Sequence, residues 1–373
     1  MAPQQASAAG KLRAESRAVV GLTAVIVSVD GTTPRMLTVA SQDGEALPSR
    51  GLDDSADTTL EKAVRRLVSS DLGLPVRYFE QLYTFGDRER SPGCRALAVA
   101  YLALARYQPV TGSADPRWHD CYELFPWEDW RQGRPAVLDS VIVPALERWL
   151  GQAPPAQLPI RTERAELTFG TGQALWDPMR VLDRYELLYE LMLVDEADRD
   201  RRAGLGGPCA PHSGGSPGGG EGAGIGEGAI TGEGAISGEG AGSGETCAGG
   251  EALVSPDATA AGIGAPLALD HRRIAAAALE RLRGKLAYRP VVFEVLPEAF
   301  TLSALQQVVE ALAGQVLHKQ NFRRLVASAN LVEPTGELQQ RTGGRPAELY
   351  RFRREVLRER PAPGLGLRRL GGP

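Results

Sequence analysis

Apolar residues follow two periods along this chain and then disappear for a stretch. From Ala18 to Val29 (AVVGLTAVIVSV) they run almost unbroken and rich in β-branched side chains, which predicts a buried strand closed by a turn at Asp30-Gly31. Arg35 to Ser41 alternates well enough to be its hairpin partner, and Phe79 to Phe85 and Ala96 to Tyr107 read as two further strands. Helical spacing takes over from Leu60 to Leu72, where Leu60, Val64, Leu67, Val68 and Leu72 share a face and Gly73 ends the run. It returns from about Val137 to Leu150, from an N-cap and first-turn proline at Asp177-Pro178, and from Ala268 to Leu286 with Ile274, Ala278, Leu282 and Leu286 in line. Between these, Trp118 to Trp130 (WHDCYELFPWEDW) is aromatic-rich and obeys neither period.

Residues 203–262 contain no Phe, Tyr or Trp and are dominated by Gly, Ala, Ser and Glu, with Gly-Glu-Gly-Ala-Ile repeated at Gly226 and Gly232. Nothing there can bury a core, and ordering glycine is entropically expensive, so a disordered linker is expected over 201–266. None of its glycines follows a strand or opens a helix, which argues against a phosphate-binding loop. The remaining expected divisions are disordered ends at 1–16 and 363–373, a folded domain at 17–200 and a second at 267–362.

Composition supports that plan. A chain of 373 residues, 43% hydrophobic and 24% charged, has material for two or three domains. No apolar run approaches the ~20 residues of a membrane span, and Met1 to Ser16 lacks the apolar core of a secretory signal. Cys94, Cys121, Cys209 and Cys247 show no metal-ligand spacing, so neither a zinc site nor a disulfide framework is expected, and a reducing cytoplasm is. The net charge of −4 hides an asymmetry: from Pro266 onward 18 Lys/Arg face 10 Asp/Glu, while the preceding residues carry an excess of 12 negative charges. A basic segment on an acidic protein fits a polyanion-binding module, or an ordinary solvated face.

Motif order near the end favours the first. Thr301 is a suitable N-cap for a helix whose stripe is Leu302, Leu305, Val308, Val309 and Leu312, and Gly314 stops it. After a short turn with Val316 and Leu317, a second helix should turn Asn321, Arg323 and Arg324 outward and Phe322, Leu325 and Val326 inward. Asn and Arg make paired hydrogen bonds to base edges, whereas Lys319 suits a phosphate. Glu337 to Arg341 and Ala347 to Phe352 then frame Thr342-Gly-Gly-Arg-Pro346, a hairpin whose Gly343 and Gly344 permit close backbone approach and whose Arg341 and Arg345 suit phosphates or the minor groove. Helix, turn, basic helix and cationic hairpin make a winged helix-turn-helix, a shape that lays one helix in the DNA major groove. A helical protein-binding module with a solvated cationic face is the plainer alternative.

The first domain resembles a Nudix domain in its order of strand, hairpin, Gly51, helix 60–72 and Gly73-Leu74. With the family's box registered on Gly73-Leu74, its Arg falls at Arg66. Its three helical carboxylate positions become Leu67, Ser70 and Asp71, its upstream Glu becomes Thr58, and its first Gly is one residue out of register. Nudix chemistry needs carboxylates gathered on one helix face around Mg²⁺, which a single Asp does not provide. A shape able to hold a nucleoside diphosphate survives that loss, so the domain reads as a sensor with no catalytic residue and no metal site.

Tyr83-Thr-Phe-Gly-Asp87, Arg88, Arg90 and Ala98-Val-Ala-Tyr-Leu102 are similar to Nudix-related transcriptional regulators of NAD metabolism of the NrtR type. So are Phe293-Glu-Val-Leu-Pro297, Phe300-Thr-Leu302, Asn321-Phe-Arg-Arg324, Gly344-Arg-Pro346 and Leu349-Tyr-Arg-Phe352. The aromatic segment and Leu158-Pro-Ile-Arg161 look more like the NadQ branch. The resemblance implies an α+β protein with a Nudix-like mixed sheet flanked by helices and a C-terminal winged helix-turn-helix. It further implies a homodimeric repressor of NAD synthesis or salvage genes on an inverted-repeat operator in double-stranded DNA. No cofactor is implied beyond a nucleotide effector: ADP-ribose, NAD or ATP. Arg50, Arg88 and Arg90 are candidates for its phosphates and Phe85 for stacking on its base, while Arg66 suits a structural pair with a nearby carboxylate. The Gly-rich tract departs from the family's pattern. The alternatives are a Nudix pyrophosphatase acting on ADP-ribose or NADH with an appended nucleic-acid module, and a nucleotide-binding adaptor that engages protein.

Overall fold

β1 (Ala18–Asp30) is the spine of a mixed sheet in a computed structural model that describes residues 18–53, 55–86, 95–110, 114–204, 262–339, 346–359 and 364–365. The strand folds back through Gly31 (φ 60°) into β2 (Thr33–Ser41), with Val27 opposite Met36, and β3 (Gly44–Ala46) and β4 (Ser49–Gly51) follow. The chain then crosses over through α1 (Leu60–Arg66) and returns as β5 (Tyr78–Phe85) and β6 (Arg95–Leu104). β6 lies parallel to β1, from Val19 opposite Ala96 to Val27 opposite Leu104, which only a crossover connection permits. The order is β3-β2-β1-β6-β5, with β4 added on β1 and β7 (Arg117–Asp120) on β2.

Alternation along β1 divides the core in two. Leu22, Ala24 and Ile26 join Ala63, Val64, Leu67 and Val68 on the α1 face. Val25, Val27 and Val29 point the other way, into a larger core with the helices that follow. Thr59 caps α1 by accepting from the Lys62 amide, and Glu61 early with Arg65 and Arg66 late suit its dipole. The helix expected over 60–72 is α1 followed by a π-helical turn, Leu67–Asp71, in which the adjacent Leu67 and Val68 are both buried.

The aromatic segment is regular after all: β7, then α2 (Cys121–Leu124) capped by Asp120, then a 3₁₀ turn Pro126–Glu128. A π-helical turn Leu138–Ile142 leads into α3 (Val143–Gly151). α4 (Leu158–Phe169) and α6 (Asp195–Arg202) are additions to the expected elements. Between them α5 (Val181–Glu190) begins later than Asp177-Pro178 predicts, because Asp177 Oδ1 accepts from the Met179 amide in a separate turn (2.9 Å).

α7 (His271–Tyr288) was expected to open the second domain, yet it packs on α5, β5, β6 and β1 as well as on the C-terminal module. Ile274, Ala275, Ala276, Ala277 and Ala278 are all buried, so four successive alanines let neighbours close in on every side. Residues 262–266, taken from sequence as linker, are held to this core: Ile263 N donates to Leu193 O (2.9 Å) and Ala265 N to Glu123 O (2.8 Å). The buried Arg272 reaches back to the carbonyls of Ala265 and Ile263, both at 2.8 Å. The rest of the expected linker from 205 to 261 lies outside the described residues, as do 1–16 and 366–373.

The C-terminal module follows as a 3₁₀ turn Val291–Glu294, α8 (Leu302–Ala313), α9 (Lys319–Ala329), the hairpin β8 (Val332–Gln339) and β9 (Ala347–Phe352), and α10 (Val356–Glu359). Among the described residues no helix is long and apolar enough to cross a membrane.

Candidate functional site

Thr301 caps α8 by accepting from the Ala304 amide (3.1 Å), and Gly314 ends it at φ 72°, a conformation that favours glycine. Two side chains of α8 then shape the turn. Glu310 Oε1 accepts from the Leu317 amide (2.8 Å), and Gln306 Nε2 donates to Leu317 O (2.9 Å). Leu317 is thus drawn inward while Val316 stays 65% exposed, and α9 starts at a fixed angle with Phe322 and Val326 as its buried anchors.

Arg323 and Arg324 project into solvent from α9, as expected, and so does Lys319. Asn321 does not. It is half-buried, and its Oδ1 accepts from Arg324 Nη2, because at 100° per residue it sits beside Phe322 and Leu325 rather than on the outward line. The hairpin base is fixed by a third strand contact, Phe300 N to Tyr350 O (2.9 Å) with the return bond from Tyr350 N (2.8 Å), and by Phe293 stacked on Phe352 at 4.3 Å. Arg341, Gly343, Gly344 and Arg345 lie outside the described residues.

Of the residues proposed from sequence to hold a nucleotide, the two that are described, Arg50 and Phe85, lie on opposite faces of the sheet. Arg50, on β4, meets Asp71 of the π-helical turn at 3.3 Å on the α1 side of the sheet. Phe85 is buried on the opposite side, with the Arg273 guanidinium of α7 5.7 Å above its ring and Tyr83 against its edge, so no base can stack there. Arg88 and Arg90 lie outside the described residues. Arg66 makes its structural pair with Asp57 (2.7 Å), whose side chain is almost fully buried.

The resemblance of the first domain to Nudix domains implies Mg²⁺, and the described residues do not fit one. Leu67 points into the core, Asp71 faces Arg50, and Glu61 is paired with Arg65 at 2.8 Å. Among the described residues no three His, Cys, Asp or Glu side chains cluster as metal ligands would. On the α1 side Arg50, Arg65 and Arg66 are each paired with a carboxylate.

The strongest electrostatic feature lies on the other face and was not foreseen. Glu128, at the end of the aromatic segment, sits between Arg184 of α5 and Arg283 of α7, and all three side chains are at most 3% exposed. Arg184 Nε donates to Glu128 Oε1 at 2.5 Å and Nη2 to Oε2 at 3.1 Å, a bidentate pair, while Arg283 donates to the same carboxylate. Burial pushes the Glu128 carboxyl up, but the two guanidiniums outweigh it and hold the group below the usual carboxylate range. The surplus positive charge is met by the carbonyls of Thr168, Asp177, Pro178 and Glu128 and by the Trp176 ring face, 3.9 Å from Arg184.

The same cluster grips the C-terminal end of α8. Tyr122 donates its hydroxyl to Ala311 O (2.7 Å), and Trp130 N donates to Gly314 O (2.8 Å), closing two carbonyls that a helix end leaves open. A Cβ at Gly314 would lie 2.4 Å from Glu128 O, so the helix-turn-helix corner presses directly against the cluster. Tyr122 and Trp130 belong to the segment that follows neither apolar period, and the Tyr122 bond to α8 joins residues 189 positions apart, beyond any local pattern.

The family model for the NrtR DNA-binding winged helix domain matches residues 292–352, which contain α8, α9 and both strands of the hairpin. An "ADPR responsive transcriptional repressor NtrR" of Acinetobacter baylyi is 38% identical over 86 residues, 23% of this chain and 34% of that protein. The matched segment thus spans about a third of that curated relative's length. Shewanella oneidensis NrtR complexed with a 27mer DNA aligns over 90% of this chain and 94% of its own at 19% identity and a TM-score of 0.48. The NUDIX domain of the same NrtR, complexed with ADP ribose, aligns over 30% and 79% at 24% identity and a TM-score of 0.27. The C-terminal module of this chain is thus similar to the NrtR DNA-binding winged helix domain.

Proposed function

We propose that this chain is a DNA-binding transcriptional repressor of NAD synthesis or salvage genes that responds to an NAD-related nucleotide, ADP-ribose first among the candidates. The observation that carries the reading is the winged helix of NrtR type at 292–352, with Lys319, Arg323 and Arg324 solvent-exposed on its second helix. The curated relative's responsiveness to ADP-ribose supports the choice of effector. Binding as a homodimer to an inverted repeat follows from placing two such helices one DNA turn apart.

Effector binding is assigned to the α1 side of the sheet, where Arg50 pairs with the exposed Asp71 and can exchange it for a phosphate. Phosphoanhydride hydrolysis is not part of the proposal, because Leu67 and Ser70 stand where the Nudix helix needs carboxylates. A gel shift of the full chain on its own upstream region and on NAD-synthesis promoters, titrated with ADP-ribose, NAD and ATP, tests the reading. Retardation of those promoters with a steep salt dependence, altered by one of the nucleotides, is expected. Mg²⁺-dependent release of AMP from ADP-ribose at enzymatic rates would replace it with the pyrophosphatase.

A further inference from the structure

On α9 the residues split by angle. Phe322 and Val326 are buried, and Asn321, Leu325 and Ala329 are half-buried, so the outward line opposite them runs through Gln320, Arg324 and Ala327 at i, i+4 and i+7. All three are exposed, with Arg323 on one flank and Ser328 on the other. Arg323 lies within electrostatic reach of the Tyr350 phenol of β9, which itself donates to Glu348 at 2.5 Å. Arg324 is steered from behind by the Asn321 carboxamide oxygen.

Resting on the DNA-binding reading above, we infer that Gln320, Arg324 and Ala327 are the side chains that read base sequence, and that Asn321 is a positioning residue for Arg324. The chemistry of each follows from its side chain. A carboxamide makes a paired donor and acceptor contact with adenine N7 and N6, so Gln320 selects an A·T pair. A guanidinium makes two donor contacts with guanine O6 and N7, so Arg324 selects G·C, and the Ala327 methyl fits a thymine methyl. The Cα atoms of Gln320 and Arg324 are about 6 Å apart along the helix, which corresponds to about two base pairs when α9 lies along the groove. Arg323 and Lys319, off that line, contact the phosphate backbone and contribute affinity without sequence.

The test is selection of the full chain against a randomised duplex library, followed by gel shifts with single base-pair changes in the selected site. Wild type is expected to select an A·T and a G·C pair about two positions apart in each half-site. Gln320→Ala loses the A·T preference, with about tenfold or more discrimination removed at that position only, and Arg324→Ala does the same at the G·C position. Arg323→Ala weakens binding evenly across sequences and lowers the salt slope. Asn321→Ala blurs the G·C position, and Asn321→Asp, which keeps the acceptor oxygen, restores it. Gln320, Arg323 and Arg324 are exposed, so their variants fold, and unchanged far-UV circular dichroism and thermal melts check this. An unaltered preference in Gln320→Ala overturns the assignment, and so does a preference lost in Arg323→Ala. A wild-type chain that selects no sequence refutes the DNA-reading function instead.

Discussion

The α1 face of the sheet and the α7 face hold the same kinds of charge in opposite settings. Under α1, Arg50 meets Asp71 and Arg65 meets Glu61 at side chains 24–59% exposed, where solvent supplies most of what the partner supplies. Under α7, Glu128 serves two arginines with no more than 3% of any side chain exposed, and no solvent stands in for a lost partner. A surface pair is cheap to open and so can be traded for a ligand. A buried triad fixes the geometry of everything it touches, here α5, α7 and the end of α8. The molecule thus has an exchangeable pair at Arg50 and Asp71 and a locked triad at Glu128, with the helix-turn-helix corner fastened to the triad.

Removing the carboxylate from each side should have very unequal effects. Glu128→Gln leaves two guanidiniums buried without their counter-ion and is expected to destabilise the fold by about 3–5 kcal/mol. Asp71→Asn is expected to change stability by less than about 1 kcal/mol. Urea unfolding of the two variants measures both, and losses of equal size would erase the distinction.

A second contrast is one of pH. Burial pushes the Glu280 carboxyl of α7 up to about 7, with the Leu182 amide donating to it at 3.0 Å and Asp183 adding repulsion. A carboxyl whose folded pKa is raised favours the folded state while protonated. Its contribution is whole below about 4.5 and is lost as pH rises through about 7. Glu280→Gln is therefore expected to gain stability over wild type as pH rises from about 5 to 8, by roughly 1–3 kcal/mol at the upper end. Thermal melts across that range check it; parallel profiles for the two proteins would show that Glu280 titrates normally.

Local pattern exposed one side of this comparison and hid the other. The sheet spine, α1, α8 and α9 were legible because Ala18 to Val29, Leu60 to Leu72 and Leu302 to Leu312 carry their period in consecutive residues, and because Thr301 and Gly314 mark the ends of α8. The Glu128 cluster was not, since its arginines lie 56 and 155 positions away and a lone glutamate in an aromatic segment looks like any surface charge. α6 was missed for lack of an apolar stripe, although DEADRDRR places acids first and bases last, as a helix dipole favours. Phe85 was misread because alternation fixes that a residue faces a core but not which face of the sheet, and the helix covering it comes from residue 271 onward.

Between the extremes lies the bond from Tyr122 to Ala311 O. Tyr122→Phe keeps the ring in its buried site and removes the hydroxyl, leaving the Ala311 carbonyl without its donor and Arg283 without one of its acceptors. A loss of about 1–2 kcal/mol is expected. Hydrogen exchange locates it: amides at the end of α8 and the start of α9 should exchange faster while those of β1 and β6 are unchanged. Uniform acceleration over the whole chain would mean that the bond carries general stability and does not anchor the reading head.

The smallest effect bears on the exchangeable pair. In Asp71→Ala, Arg50 keeps its place on β4 but loses its resident carboxylate, at an exposed position where folding is barely affected. If Arg50 receives a phosphate of the effector, the competing charge is gone and affinity for ADP-ribose rises, by about 1 kcal/mol or roughly fivefold. Arg50→Ala should lower it by a similar amount. The sign is what matters in a titration by isothermal calorimetry. A carboxylate that held a divalent cation for a diphosphate would, when removed, weaken binding in Mg²⁺ and leave it unchanged in EDTA. Tightening that is indifferent to chelator separates a sensor of nucleotides from a hydrolase that merely sits beside a DNA-binding module.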